Sequence, residues 1–142
     1  MQSHEAFAAG SSADWLRHAK ADLALAKVPL PEDGLYKTLC FHAQQAVEKG
    51  IKAVLVFRGV EFPKSHGLAR LIDLLPADIE RNERVIESAK LTAYATTFRY
   101  PTEDDDLDVP KDKYEEAVHL AAVVLAWVEE IIGSVGSHPK SH

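Results

Sequence analysis

Three groups of side chains in this sequence carry enough functional chemistry to anchor a site. Gln44, Glu48 and Lys52 recur every four residues, so on a helix an amide, a carboxylate and an ammonium project from one side. In that arrangement the carboxylate takes a proton from a hydroxyl and the lysine meets a phosphate. The plainer reading is an ordinary ion pair on a helix surface, worth roughly a few tenths of a kcal/mol. A second group is Arg99 with Tyr100, followed by Asp104, Asp105 and Asp106. Arg99 supplies a cation for phosphate, while the carboxylates repel a phosphate and offer Arg99 a structural partner. Consecutive acids without a turn-forming glycine do not make a calcium loop, so the acidic run reads as a solvated loop. The third is His66, a candidate base or a hydrogen-bonded residue at a helix start. No glycine-rich phosphate loop, no Ser-His-Asp arrangement in a motif context and no zinc-ligand pattern accompanies these groups. No metal site and no cofactor are expected.

Helices must position all three. Ser11, Ser12 and Asp14 precede Trp15, Leu16, Ala19, Leu23 and Ala26 at three-and-four spacing, predicting a helix from about Ser12 to Lys27. Two prolines and Gly34 make residues 28–34 a connection. Leu35 to Arg58 then carries an apolar stripe through Tyr36, Leu39, Cys40, Ala43, Val47, Gly50, Ile51 and Val54, with Gly59 as its C-terminal cap. Ser65 is placed to cap a short helix with Leu68, Leu71, Ile72 and Leu75 inward until Pro76. Asp78 to Thr97 reads as a helix, with Arg81 to Arg84 polar enough for a break and its start left open, and Phe98 to Pro110 reads as an exposed loop. The final helix starts near Pro110 to Asp112, and Gly133 to His142 reads as a frayed tail. The expected fold is all-α: an antiparallel up-and-down four-helix bundle with one short extra helix over residues 12–132, flanked by a flexible 1–11 and a disordered 133–142.

A chain of 142 residues, 46% apolar and 27% charged, has the composition of one globular domain. A net charge of -6, from 16 basic and 22 acidic residues, argues against a protein that coats duplex nucleic acid. Cys40 is the only cysteine and cannot form an internal disulfide. With no basic-then-apolar start and no apolar run near the roughly twenty residues of a membrane span, a cytoplasmic protein is expected.

Two helices carry apolar residues off their main stripes. Phe41 and Leu55 on the second helix, and Leu120, Val123 and Trp127 on the last, suggest an intermolecular strip and a homodimer. The alternative is that these side chains cover a loop or stand singly exposed.

The order of Ala21-Asp22-Leu23, Ala43-Gln44-Gln45-Ala46-Val47-Glu48-Lys49, Ser65-His66-Gly67-Leu68 and Tyr94 before Phe98-Arg99-Tyr100-Pro101 resembles the HEPN family, helical bundles named for nucleotide binding in higher eukaryotes and prokaryotes. The resemblance spans most of the chain. It implies a cytoplasmic homodimer that partners a minimal nucleotidyltransferase in a two-component, toxin-antitoxin-like system, with a nucleotide as ligand. The family is itself similar to the helical domain of kanamycin nucleotidyltransferase, which lends acid and lysine side chains to an active site. Glu48 and Lys52 are the matching pair, with Gln44, Arg99 and Tyr100 beside them as binding residues.

Other members resemble metal-independent ribonucleases with an Arg, four to six residues, then His. Such a reaction needs a base, an acid and a cation. Counted from Arg99, positions 104 to 106 are all Asp, and Arg58 and His66 stand one residue too far apart across a proline. RNA cleavage, with Arg99 and His66 as candidate catalytic residues, is therefore the alternative. The first expectation is a nucleotide- or substrate-binding partner protein, not an enzyme on its own.

Overall fold

The computed structural model describes residues 10–64, 67–99 and 108–137, without the side chains of 96–99 and 134–137. All regular structure in it is helical: α1 (Ser12–Ala26), α2 (Tyr36–Phe57), α3 (Leu68–Asp73), α4 (Glu83–Glu87), a 3-10 turn (Ser88–Leu91), α5 (Thr92–Arg99) and α6 (Lys111–Ser137). Contacts give the directions. Asp22 late in α1 meets His42 early in α2, and Trp15 early in α1 lies against Lys52 late in α2, so the two run antiparallel. Tyr36 stacks on Tyr114 at 4.8 Å, with Gly50 against Leu125 further along, so α6 runs parallel to α2. Trp127 meets Glu80 and Lys90 meets Glu116, which sets the α4–α5 segment antiparallel to α6. Successive long elements thus alternate in direction, as an up-and-down bundle requires.

The ends of the elements follow from local chemistry. Ser11 and Asp14 form a reciprocal capping box on α1. At the end of α2, Gly59 has φ +74, Gly59 N–H donates to the Val56 carbonyl at 3.0 Å, and Val60 N–H to the Leu55 carbonyl at 2.8 Å. Only glycine adopts that backbone without strain, and the paired bonds satisfy the last carbonyls of the helix. The start of α2 has no local cap. Asp108, distant in sequence, accepts from Tyr36 N–H at 2.7 Å and from Lys37 N–H at 2.9 Å.

Three expected boundaries are corrected. The helix read over 78–97 starts only after the polar stretch, at Glu83, and runs as α4, a 3-10 turn and α5. Asn82 caps α4 through Val85 N–H at 2.9 Å, while Arg81 donates to the carbonyls of Leu75, Ile72 and Ile79. Holding those carbonyls closes the end of α3 and keeps Arg81 itself out of a helix. Ser88 Oγ donates to the Val85 carbonyl at 2.6 Å, where the ladder tightens to 3-10. Phe98 and Arg99, expected to open a loop, are instead the end of α5. The tail expected from Gly133 is helical to Ser137, since no proline interrupts it before Pro139. Ser65, His66, Tyr100 and Asp104 to Asp106 lie outside the described residues.

Helix α2 is the axis of the core, buried on most of its circumference. Gly50 lets α6 approach closely, because a Cβ there would stand 2.5 Å from Leu125 Cδ2. This explains why two further expectations are corrected. Leu55 and Leu120, assigned to an intermolecular strip, are 0% exposed within the single chain. A helix surrounded by α1, α3, α5 and α6 has no outer side at Leu55, and Leu120 belongs to the inner face of α6 with Ala117, Ala121 and Val124.

Candidate functional site

The polar residues of α2 form two linked arrays. In the first, Gln45 Nε2 donates to Gln44 Oε1 at 2.8 Å, Gln44 Nε2 to Glu48 Oε1 at 3.0 Å, and Lys52 Nζ to Glu48 Oε2 at 2.9 Å. Both Glu48 oxygens are therefore engaged by donors. The Lys52 ammonium lies 5.3 Å from the ring centres of both Trp15 and Phe62, whose rings meet edge to face at 6.1 Å. The aromatic faces attract the cation and exclude water from it. Gln44 and Lys52 are buried at 2% and 8% exposure, whereas the Glu48 side chain keeps 21%. The strip expected to lie open at a surface is thus closed over, and Glu48 is its accessible member.

The second array joins α1 to α2. Asp22 Oδ2 accepts from Lys49 Nζ at 2.7 Å and Asp22 Oδ1 faces His42 Nδ1 at 3.1 Å. A proton on Nδ1 is what makes this contact a hydrogen bond, with the carboxylate as acceptor. His42 and Lys49 are seven residues apart on α2, two turns on one face, and Asp22 sits across from both. Sequence reasoning singled out neither His42 nor Lys49 for chemistry. Their spacing was a usable signal, but the partner carboxylate comes from another helix.

Phe41 meets the His42 ring at 5.5 Å and is half-buried. Val123 is also half-buried. Trp127 covers the connection before α4, with Nε1 donating to the Glu80 carbonyl at 3.3 Å. Arg99 ends α5; its side chain, with His66 and Tyr100, lies outside the description. Cys40 is buried beside Tyr94, and burial pushes its thiol up to about 12, so it stays neutral and unreactive at ordinary pH. Among the described residues, no group of three or more His, Cys, Asp or Glu is placed to hold a metal, and no helix is long and apolar enough to cross a membrane.

An all-helical bundle whose second helix carries a Gln-Glu-Lys network defines the class of protein. The HEPN domain profile matches residues 12–131, and the chain belongs to the HEPN family. Among solved structures it is similar to TT1696 from Thermus thermophilus, at 35% identity and TM-score 0.71, covering 84% of this chain and 96% of that one. It is also similar to ST0689, an archaeal HEPN homologue, at 26% identity and TM-score 0.68, covering 87% and 98%. No curated protein matches.

Proposed function

We propose that this HEPN protein is a nucleotide- or substrate-binding partner of a minimal nucleotidyltransferase, working in the cytoplasm as half of a two-component, toxin-antitoxin-like pair. The observation that supports it most is Glu48. Its carboxylate is held by Gln44 and Lys52 and keeps one-fifth of its surface open. A carboxylate oriented in this way accepts a proton from a hydroxyl brought by a partner, and its interactions strengthen as the partner excludes water. Lys52, walled by two rings, holds Glu48 in place. Arg99 and Tyr100 are proposed to contact the phosphate and base of the bound nucleotide.

Co-purification with the product of the neighbouring gene is the test. A stoichiometric complex that survives gel filtration is expected. Failure to associate, or single-stranded RNA cleavage by the isolated chain that Arg99→Ala abolishes with the fold intact, overturns the reading in favour of a ribonuclease.

A further inference from the structure

We propose, on the basis of the partner reading above, that His42 is a second acid–base residue of the Glu48 site, giving a proton to the leaving group of the transfer while Asp22 holds its ring. Between positions 39 and 55, α2 is buried except at Phe41, His42, Gln45, Glu48 and Lys49. Their spacing puts all five on one side of the helix. A partner or substrate meets the middle of α2 only there. Carboxylate and imidazole are the usual groups of acid–base catalysis, and that side carries one of each, Glu48 and His42.

His42 is anchored from behind. Asp22 Oδ1 faces its Nδ1 at 3.1 Å, Asp22 Oδ2 accepts from Lys49 Nζ at 2.7 Å, and the Phe41 ring meets the imidazole edge to face at 5.5 Å. With the carboxylate as acceptor, Nδ1 carries a proton, and Nε2 is the nitrogen through which the ring exchanges protons with a substrate. Asp22 is the only hydrogen-bond partner of the ring among the described residues. The His42 side chain keeps 27% of its surface open and the Asp22 side chain 12%, so the imidazole is the accessible end of the pair. A carboxylate set behind an imidazole in this way fixes the ring and stabilises the charge of an imidazolium.

Nucleotidyl transfer has work for both groups. An acceptor hydroxyl attacks the α-phosphorus of a nucleoside triphosphate held by the transferase, and the new O–P bond forms as the bond to pyrophosphate breaks. Glu48 takes the hydroxyl proton. His42 Nε2 gives a proton to the departing pyrophosphate oxygen, so the proton gained by Glu48 balances the one lost by His42. The two residues are six positions apart on α2, about 9 Å along its axis, which leaves room for a phosphoryl group between their side chains.

The experiment is the pH dependence of nucleotidyl transfer by the reconstituted complex carrying the wild-type chain, His42→Gln or Asp22→Asn, with assembly checked by gel filtration and the fold by circular dichroism. An acid at His42 makes the wild-type kcat fall on the alkaline side. His42→Gln is expected to lower kcat about a hundredfold, leave KM within about twofold and abolish that fall. Asp22→Asn is expected to move the fall to lower pH, because an amide does not stabilise the imidazolium charge. A wild-type profile without the fall, an unchanged kcat in His42→Gln, or a lower kcat with the wild-type profile overturns the proposal and leaves Asp22 and His42 as a clamp between α1 and α2. So does a fall that Asp22→Asn leaves in place. A wild-type complex that transfers no nucleotide overturns the partner reading itself, and the role of His42 with it.

Discussion

Asp22 is the residue on which the α1–α2 contact turns. It binds Lys49 and His42 at once, and its own side chain is only 12% exposed. Removing it strands two half-buried donors, so Asp22→Ala is expected to lower stability by about 2 kcal/mol in urea unfolding, while Asp22→Asn costs less by keeping one acceptor. Cys40 gives a pH dependence. Its folded pKa is raised to about 12 from an ordinary 9.0 by burial, so above pH 9 the unfolded chain releases this proton and the folded chain retains it. Stability is then full below pH 9 and falls as pH rises toward 12, at up to about 1.4 kcal/mol per pH unit. Tyr94 and Tyr114, also raised chiefly by burial, add to the fall from about pH 10. Urea midpoints measured from pH 8 to 11 should show a flatter decline between pH 9 and 10 in Cys40→Ala. At this scale the Glu48–Lys52 pair was legible, because both partners sit on one helix at a spacing that has few outcomes. The Asp22 clamp was not, because its geometry depends on how α1 and α2 are aligned.

Among the elements, α2 has the most extensive packing, against α1, α3, α5, α6 and the 3-10 turn. Its C-terminal glycine was readable from sequence, since a left-handed residue after a long apolar stripe has a local signature. Its N-terminal cap was not: Asp108 belongs to an acidic stretch that reads as solvated, and only the return of the chain brings it to Tyr36 and Lys37. In the helix read over 78–97 the polar stretch at Arg81 to Arg84 was visible as a place to break, but what holds it open was not, for a related reason. Arg81 and Asn82 are acceptable helix residues until the open carbonyls of α3 and the exposed N–H of Val85 recruit them. At Gly50 the approach of α6 to α2 leaves no room for a Cβ, which would stand 2.5 Å from Leu125 Cδ2. Gly50→Val is expected to destabilise by about 1–3 kcal/mol through overpacking. Gly50→Ala is expected to cost less, because up to about 1 kcal/mol of helix propensity offsets the clash. Thermal unfolding of both variants checks the order.

At the scale of the whole molecule, the all-α class and the alternation of helix directions were legible because amphipathic stripes joined by short connections have few ways to pack. The apolar residues off those stripes were misleading. A helix enclosed on most sides buries Leu55 inside its own chain, and periodicity alone does not count the neighbours. The expected homodimer therefore rests on Phe41 and Val123, because Trp127 covers the connection before α4 within its own chain. Light scattering at tens of micromolar should give twice the mass of the 15.7 kDa chain, and a monomer at that concentration contradicts the dimer. The central claim is that Glu48 serves a site completed by a nucleotidyltransferase. It is tested most directly by comparing nucleotidyl transfer by the reconstituted complex carrying wild-type chain or Glu48→Gln. The account predicts a loss of about a hundredfold, the size of one general-base contribution, with the complex still formed. Equal transfer rates from two intact complexes would contradict it.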